Sequence, residues 1–347
     1  MPDSTHIPNR KSDHIRINLE EDVQSSITTG LETYRFVHCA LPEIDLKDVD
    51  VSTSLWNRKL AIPLLISSMT GGTKTAGVIN RNLARAAQET GIALGIGSQR
   101  VGLEDPEQAE TFNIRKEAPG VLLFANLGAV QLNYTYTVDH CRRAVEMIEA
   151  DALFLHLNAL QEAIQPEGDT HFSGLLQKIE IVCKALPVPV VIKEVGWGIS
   201  GKDAARLVSA GVAAIDVAGA GGTSWSQVEM HRVDNPHLAR VAEAFRSWGI
   251  PTAQSIQQVC QAAPGLPVFA SGGLKDGIDI AKCLALGAVI GGMASPFLRA
   301  AAISEEETIQ LVQEIRSEIQ ICLFASGCRD IQTLQKSKDV LVHVGEV

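Results

Sequence analysis

Val268-Phe269-Ala270-Ser271-Gly272-Gly273-Leu274, followed downstream by Ala288-Val289-Ile290-Gly291-Gly292-Met293-Ala294-Ser295, is where the fold reads most directly. Each stretch is an apolar run that ends in glycine or another small residue just before a helical pattern. Backbone N–H groups at such strand ends stand clear of side chains, and at a helix start they favour an anion. One such turn is ordinary strand-to-helix chemistry. Two in succession match the place where eight-stranded α/β barrels hold phosphate. A phosphorylated cofactor or substrate is expected there.

Working outward, the same alternation of apolar runs and helical periods extends back to about residue 60. The expected strands are Ala61–Ile66, Ile92–Gly97, Val121–Asn126, Ala152–Asn158, Val188–Glu194, Ala213–Ala218, Pro267–Ser271 and Ala288–Gly292. Helical periods fall between them, at Thr75–Thr90, Val138–Ala150, Phe172–Ala185, Gly201–Ala210 and Lys275–Leu286. Near-continuous apolar strands separated by helices mark a parallel sheet covered on both faces. Eight such units close most simply as a (β/α)8 TIM barrel. A doubly wound sheet would carry a G-x-G-x-x-G turn after its first strand, and none is present. The expected organisation is an N-terminal arm over the site (residues 1–59), the barrel (60–302), and a C-terminal helix, Glu305–Ala325, with a tail (303–347).

Composition narrows the function. The chain has 347 residues, 46% hydrophobic and 20% charged, enough for a barrel of roughly 250 residues with extensions. A net charge of −10 argues against nucleic-acid or membrane-surface binding, which draws on a basic excess. No apolar run is long enough to span a bilayer, and the polar Asp3–Asp13 stretch lacks a signal-peptide core. Seven scattered cysteines without a C-x-x-C pair fit a reducing, cytoplasmic setting.

In such a barrel, chemistry sits where strands stop. The strand ends carry Ser67, Ser68, Met69 and Thr70, then Ser98, Gln99 and Arg100, then Asn126, then His156 and Asn158 with Gln161 and Glu162, then Lys193 and Glu194, then Gly219 to Thr223. Lys193 follows Val190-Val191-Ile192, so its ammonium emerges from an apolar wall, where it needs an anion or loses its proton. A Schiff base, a general base and a counter-ion are all open to it. A salt bridge to Glu194 is disfavoured, because adjacent strand residues face opposite ways. Glu162 suits a hard cation, since Mg2+ takes one or two carboxylates plus phosphate oxygens. Arg10, Lys11 and His14 concentrate positive charge in an acidic chain, either as a solvated tail or as a flap over an anionic ligand.

Together Arg10-Lys11-Ser12-Asp13-His14, Ser67-Ser68-Met69-Thr70-Gly71-Gly72, Ser98-Gln99-Arg100, His156-Leu157-Asn158 with Gln161-Glu162, Gly221-Gly222-Thr223-Ser224-Trp225 and the last two turns span residues 10 to about 298. On these segments the chain resembles the type 2 isopentenyl-diphosphate isomerases, a flavin-dependent family. The resemblance implies reduced FMN, Mg2+, NAD(P)H as reductant, and interconversion of isopentenyl and dimethylallyl diphosphate. It implies that Ser67, Ser68, Met69, Thr70, Ser98, Asn126, Lys193, Thr223, Gly272, Gly273, Ala294 and Ser295 hold FMN. Arg10, Lys11, His14, Ser98, Gln99, Arg100, His156, Asn158 and Gln161 would hold substrate, and Glu162 the metal. Gln161, Lys193 and His156 would serve catalysis, with the acid–base function supplied by reduced FMN. A homo-oligomer, tetramer or octamer, is implied as well.

An FMN-dependent 2-hydroxy-acid oxidase is the rival reading. It needs a His–Arg pair on the late loops, where this chain offers Gly219 to Trp225. If the arm is a flap, Lys11→Ala is expected to weaken diphosphate binding tenfold to a hundredfold, the rough worth of a charge-assisted hydrogen bond. Flavin absorbance of the purified variant should stay unchanged; loss of the yellow colour would contradict the flap.

Overall fold

Strands here are set by two apolar faces. The computed structural model describes residues 6–69 and 71–345, with arm side chains from residue 11 onward. Strands β1 (Leu64–Ile66), β2 (Ala93–Gly95), β3 (Leu123–Gly128), β4 (Ala152–His156), β5 (Val190–Lys193), β6 (Ala214–Asp216), β7 (Val268–Ser271) and β8 (Ile290–Met293) are parallel and close in chain order. β8 pairs back onto β1 through Gly291–Leu64 and Met293–Ile66. The expected (β/α)8 barrel is borne out.

Inward positions Leu65, Ala93, Phe124, Phe154, Val191, Ala214, Phe269 and Ile290 fill the barrel. Phe124 stacks on Phe154 at 4.6 Å, and Phe269 meets Phe124 and Phe154 edge-on at 6.0 and 6.4 Å. Their outward neighbours, among them Leu64, Ile66, Leu94, Leu123, Leu155 and Ile192, belong to the larger core beneath the helices. Burial on both faces is why the strands read as continuous apolar runs. The strands expected to reach Gly97, Asn158 and Ala218 stop at Gly95, His156 and Asp216, because the chain leaves the sheet to form the rim.

The described part of the segment before the barrel, residues 6–59, divides into parts with different tasks. Helix His6–Glu20 lies across the barrel mouth, seated by buried Ile17 against Val23, Val228 and Trp225. The chain then crosses the loop after β6, where Ser25 N donates to Gly222 O and Ser224 N donates to Val23 O, both at 2.8 Å. From Leu31 on, the segment joins the core elsewhere, because Leu31, Val49 and Val51 are buried there. Tyr34–Phe36 pairs antiparallel with Leu341–His343. A hairpin, Thr53–Leu55 with Arg58–Leu60, closes the barrel floor just before β1. Its turn residues Trp56 and Asn57 lie at φ 47° and 64°, the left-handed region that a twisted two-residue hairpin requires. Trp56 thereby reaches Phe124 and Phe269 at 6.1 Å. Only the first part of the segment covers the mouth.

Helix Glu305–Ala325 has the expected bounds and is N-capped by Ser304, whose hydroxyl accepts from Glu307 N. Val312, Ile315, Ile319 and Leu323 bury its inner face against helices Lys74–Thr90 and Gly277–Ala285. Among the described residues no helix is long and apolar enough to cross a membrane.

Candidate active site

Most of the inward positions are followed two residues later by a residue at the rim on the same face of the strand. Leu65 is followed by Ser67, Phe124 by Asn126, Phe154 by His156, Val191 by Lys193, Phe269 by Ser271 and Ile290 by Gly292. All six of these followers line one cavity of about 500 Å³, a size that suits a cofactor with substrate (pockets run to roughly 300–1,000 Å³). Ala214 is followed by Asp216, which lies fully buried beneath Lys193.

At the β7–β8 side the wall is peptide backbone. A Cβ on Gly272 (φ 104°) would stand 2.1 Å from Gly219 O, so glycine alone lets this loop lie against the loop after β6. The two helix starts expected to bind phosphate differ. Helix Gly277–Ala285 is closed by its own Asp276, whose side chain accepts from Asp279 N at 2.8 Å. The β7 turn therefore offers loop amides and no open helix end. Helix Ser295–Ile303 begins after Ala294 with no side-chain cap, and Ala294 and Ser295 line the cavity. An uncapped helix start facing a cavity is an anion site in waiting.

The neighbouring wall carries unspent hydrogen-bonding capacity. The hydroxyls of Ser67 and Ser68 and the Oδ1 of Asn158 are buried without a hydrogen-bond partner among the described residues. A buried polar atom left unpaired costs about 1–3 kcal/mol, so these atoms fit a bound polar molecule such as the flavin. Lys193 Nζ donates to Glu194 O at 2.8 Å and stands 3.7 Å from Asp216 Oδ2. Glu194 faces away, its Oε2 accepting from the amides of Val195, Gly196 and Trp197 at 2.7, 2.7 and 2.6 Å. Burial pushes its carboxyl up to about 7 against the pull of those amides. His156 Nδ1 lies 2.8 Å from Asn126 Oδ1.

The arm and the early loops supply the polar end. Lys11 Nζ donates to Ser98 O at 2.9 Å and stands 5.0 Å from the centre of the Phe112 ring, a cation–π contact. Arg100 is held by Glu104 at 3.2 Å and Asp169 at 3.0 Å. Burial acts to lower its guanidinium pKa, but these two carboxylates outweigh that and raise it. Glu162 accepts from Asn158 Nδ2 through Oε1 and from Asp169 N through Oε2, each at 2.7 Å. No cluster of three or more His, Cys, Asp or Glu side chains suited to a metal occurs among the described residues. One carboxylate beside a site for a phosphorylated ligand is a donor set that suits Mg2+, which takes one or two carboxylates plus phosphate oxygens.

Met69, Thr223 and Gly273 complete the expected residues at the cavity, together with His14 and Gln161. Gln99 is a correction. It is fully buried in the wall, donating to Ala144 O at 2.8 Å and accepting from Asn126 N at 3.0 Å, so its amide ties β3 to a helix and does not reach the cavity. Arg10 (its side chain) and Thr70 lie outside the described residues.

Several site residues escaped the sequence reading. Asp216 interrupts the apolar run Ala213–Ala218, a polar residue in a buried strand, which is a signal the sequence carries. Glu229 had none: it sits in helix Trp225–Arg232 and becomes central only through tertiary contact. Its carboxylate takes Gln161 Nε2 at 2.9 Å, Gln165, Arg232 Nε at 2.7 Å and His14 Nε2 at 3.2 Å. Burial acts to raise its pKa, but His14, Arg232 and Gln161 outweigh that and bring the carboxyl to about 2. Asp169 and Gln131 also went unread.

Residues 131–341 match the family model described as FMN-dependent dehydrogenase, so the class is that of FMN-dependent α/β barrels. Mandelate oxidase structures share the barrel, one solved with a C4a-OH-FMN adduct at TM-score 0.65 and 19% identity over 95% of this chain and 97% of that one. Flavocytochrome b2 does too, at TM-score 0.69 and 18% identity over 99% and 86%. At such identity the likeness shows the fold alone. Sequence relatives go further: the chain is 56% identical to the isopentenyl-diphosphate delta-isomerase of Nostoc sp. over 96% of both chains. It is 49% identical to that of Rickettsia bellii over 96% of this chain and 98% of the relative. The chain belongs to the isopentenyl-diphosphate delta-isomerase family, as its motifs had indicated.

The Glu229 hub has a pH signature. A carboxyl lowered from 4.5 to about 2 contributes stability that is present above 4.5 and lost as pH falls from there toward 2. Glu229→Gln is expected to cost about 3 kcal/mol at neutral pH, as for removal of one partner from a buried pair. The gap should narrow on acidification. Urea unfolding at about pH 7 and about pH 3 checks this; a gap independent of pH would contradict it.

Proposed function

We propose that this chain moves the double bond between isopentenyl and dimethylallyl diphosphate, by adding a proton at one carbon and removing one two carbons away. The observation that carries the reading is one cavity with two ends suited to anions: an uncapped helix start after β8, and Lys11 and Arg100 across the mouth, with Glu162 beside them for a cation. A flavin phosphate suits the first and a diphosphate the second.

An unactivated alkene gains tertiary cation character when protonated, and water would trap it. The site must therefore be dry and must hold acid and base in place. The arm helix excludes water from above, seated by Ile17 and the His14–Glu229 contact. Reduced FMN, when bound, supplies acid–base function and an electron-rich face next to the reacting carbons. Ser67, Ser68, Asn126, Thr223 and Lys193 would hold its ring system, with Met69 against it. Gly272, Gly273, Ala294 and Ser295 would hold its phosphate. Lys193 is suited to negative charge on the reduced ring, and Asp216 balances its charge before that ring is present. Gln161 is held at both ends of its amide, its nitrogen donating to Glu229 at 2.9 Å and its oxygen accepting from Asn158 Nδ2 at 3.3 Å, which sets its orientation toward substrate. Glu162 would hold Mg2+ against the diphosphate, whose binding stabilises the complex far from the reacting carbons.

The finer parts of this reading are NAD(P)H as reductant, a cytoplasmic setting and a homo-oligomer of four or eight subunits. Seven free thiols support a reducing compartment, and exposed Trp248 and Ile303 support subunit contacts. Assay of the FMN-loaded protein with isopentenyl diphosphate tests the reading. Dimethylallyl diphosphate should form only after dithionite or NAD(P)H is added. Full turnover with oxidised flavin, or none under any reductant, would contradict it.

A further inference from the structure

Asp169 stands where the two halves of the polar end meet. Its peptide N–H donates to Glu162 Oε2 at 2.7 Å, while its Oδ2 accepts from Arg100 Nη1 at 3.0 Å and Gln131 Nε2 at 2.7 Å. The loop that brings it there is pressed onto the helix bearing Glu162. A Cβ on Gly168 would stand 1.8 Å from Glu162 O, so only glycine permits the approach. One residue thus touches both the carboxylate suited to the metal and the guanidinium suited to the diphosphate.

Arginine has five N–H donors in a planar fork. Here Nε is spent on Glu104 and one Nη1 hydrogen on Asp169, which leaves three for an incoming anion. Two anchors on one guanidinium remove most of its rotamer freedom before the ligand arrives, and such pre-ordering favours binding. Gln131 is buried at the cavity wall, and its amide is oriented by the same carboxylate. Asp169 does so at a cost, because a carboxylate beside an anion site repels the ligand unless a cation intervenes. Glu162 lies on the other side of Asp169, where that cation would sit.

We propose that Asp169 is a positioning residue for the substrate diphosphate: its carboxylate sets Arg100 and Gln131, and its peptide N–H sets Glu162, so that guanidinium and metal close on the same ligand. The inference rests on the isomerase reading and deepens it.

Calorimetric titration of the FMN-loaded protein with magnesium inorganic diphosphate tests it, using wild type, Asp169→Asn and Asp169→Ala. Asp169→Ala is expected to bind about tenfold more weakly. Asp169→Asn, which keeps the shape and one acceptor, should fall between. For isopentenyl diphosphate, KM should rise by a similar factor while kcat stays within about twofold, and flavin absorbance and melting temperature should not move. Unchanged or tighter diphosphate binding in both variants would overturn the proposal and leave the isomerase reading standing. Loss of flavin or of melting temperature in Asp169→Asn would also overturn it, since the role would then lie in the fold. A wild type that binds no magnesium diphosphate would sink both.

Discussion

The pleat of a β-strand governs this molecule from floor to mouth. Side chains alternate between two faces, so a residue that fills the barrel fixes the identity of the face two residues on. Phe154 and His156, Val191 and Lys193, and Phe269 and Ser271 are pairs of this kind. The apolar member keeps the barrel interior dry, and the polar member is held at the rim with its backbone locked in the sheet. A shift of one residue would exchange the two faces and dissolve the site. Glu194 shows the other side of the rule: it follows Lys193 and turns away from the cavity, its carboxylate accepting from backbone amides.

Around this rigid cup the chemistry is balanced locally. The protein carries a net charge of −10, yet the site reads as a place for dianions. It manages this by pairing several of its cations with carboxylates: Lys193 with Asp216, Arg100 with Glu104 and Asp169, Arg232 with Glu229 and Glu167. Glu229 also ties the arm to the loop of β4 through His14 and Gln161. The arm helix and the helix that bears Gln161 thereby meet at one carboxylate.

The barrel was legible because both faces of its strands are apolar, a pattern that survives without knowledge of the helices. Helix Glu305–Ala325 was equally legible as an amphipathic period, and its bounds agree with the structure. The rim residues could be read wherever a polar group ends an apolar run, as at Lys193 and His156. Asp216 lies inside the expected run Ala213–Ala218, and only the structure, where the strand stops at Asp216, sets it at the rim. Glu229, Asp169 and Gln131 were beyond reach for a different reason. Each takes its meaning from a partner far along the chain, at separations no local pattern records. The floor hairpin was hidden likewise, since Trp56 declares itself only against Phe124 and Phe269. Gln99 was misread because the chain had already left the sheet, where period two no longer assigns a face.

The account depends most on the bare peptide amides after β7 and the uncapped helix start after β8 acting as the seat of a flavin phosphate. Fluorescence titration of flavin-free protein with FMN and with riboflavin measures that directly, because the two ligands differ only by the phosphate. FMN is expected to bind about a hundredfold more tightly or better, in line with several charge-assisted hydrogen bonds. Equal affinity for the two would place the phosphate elsewhere and contradict the account.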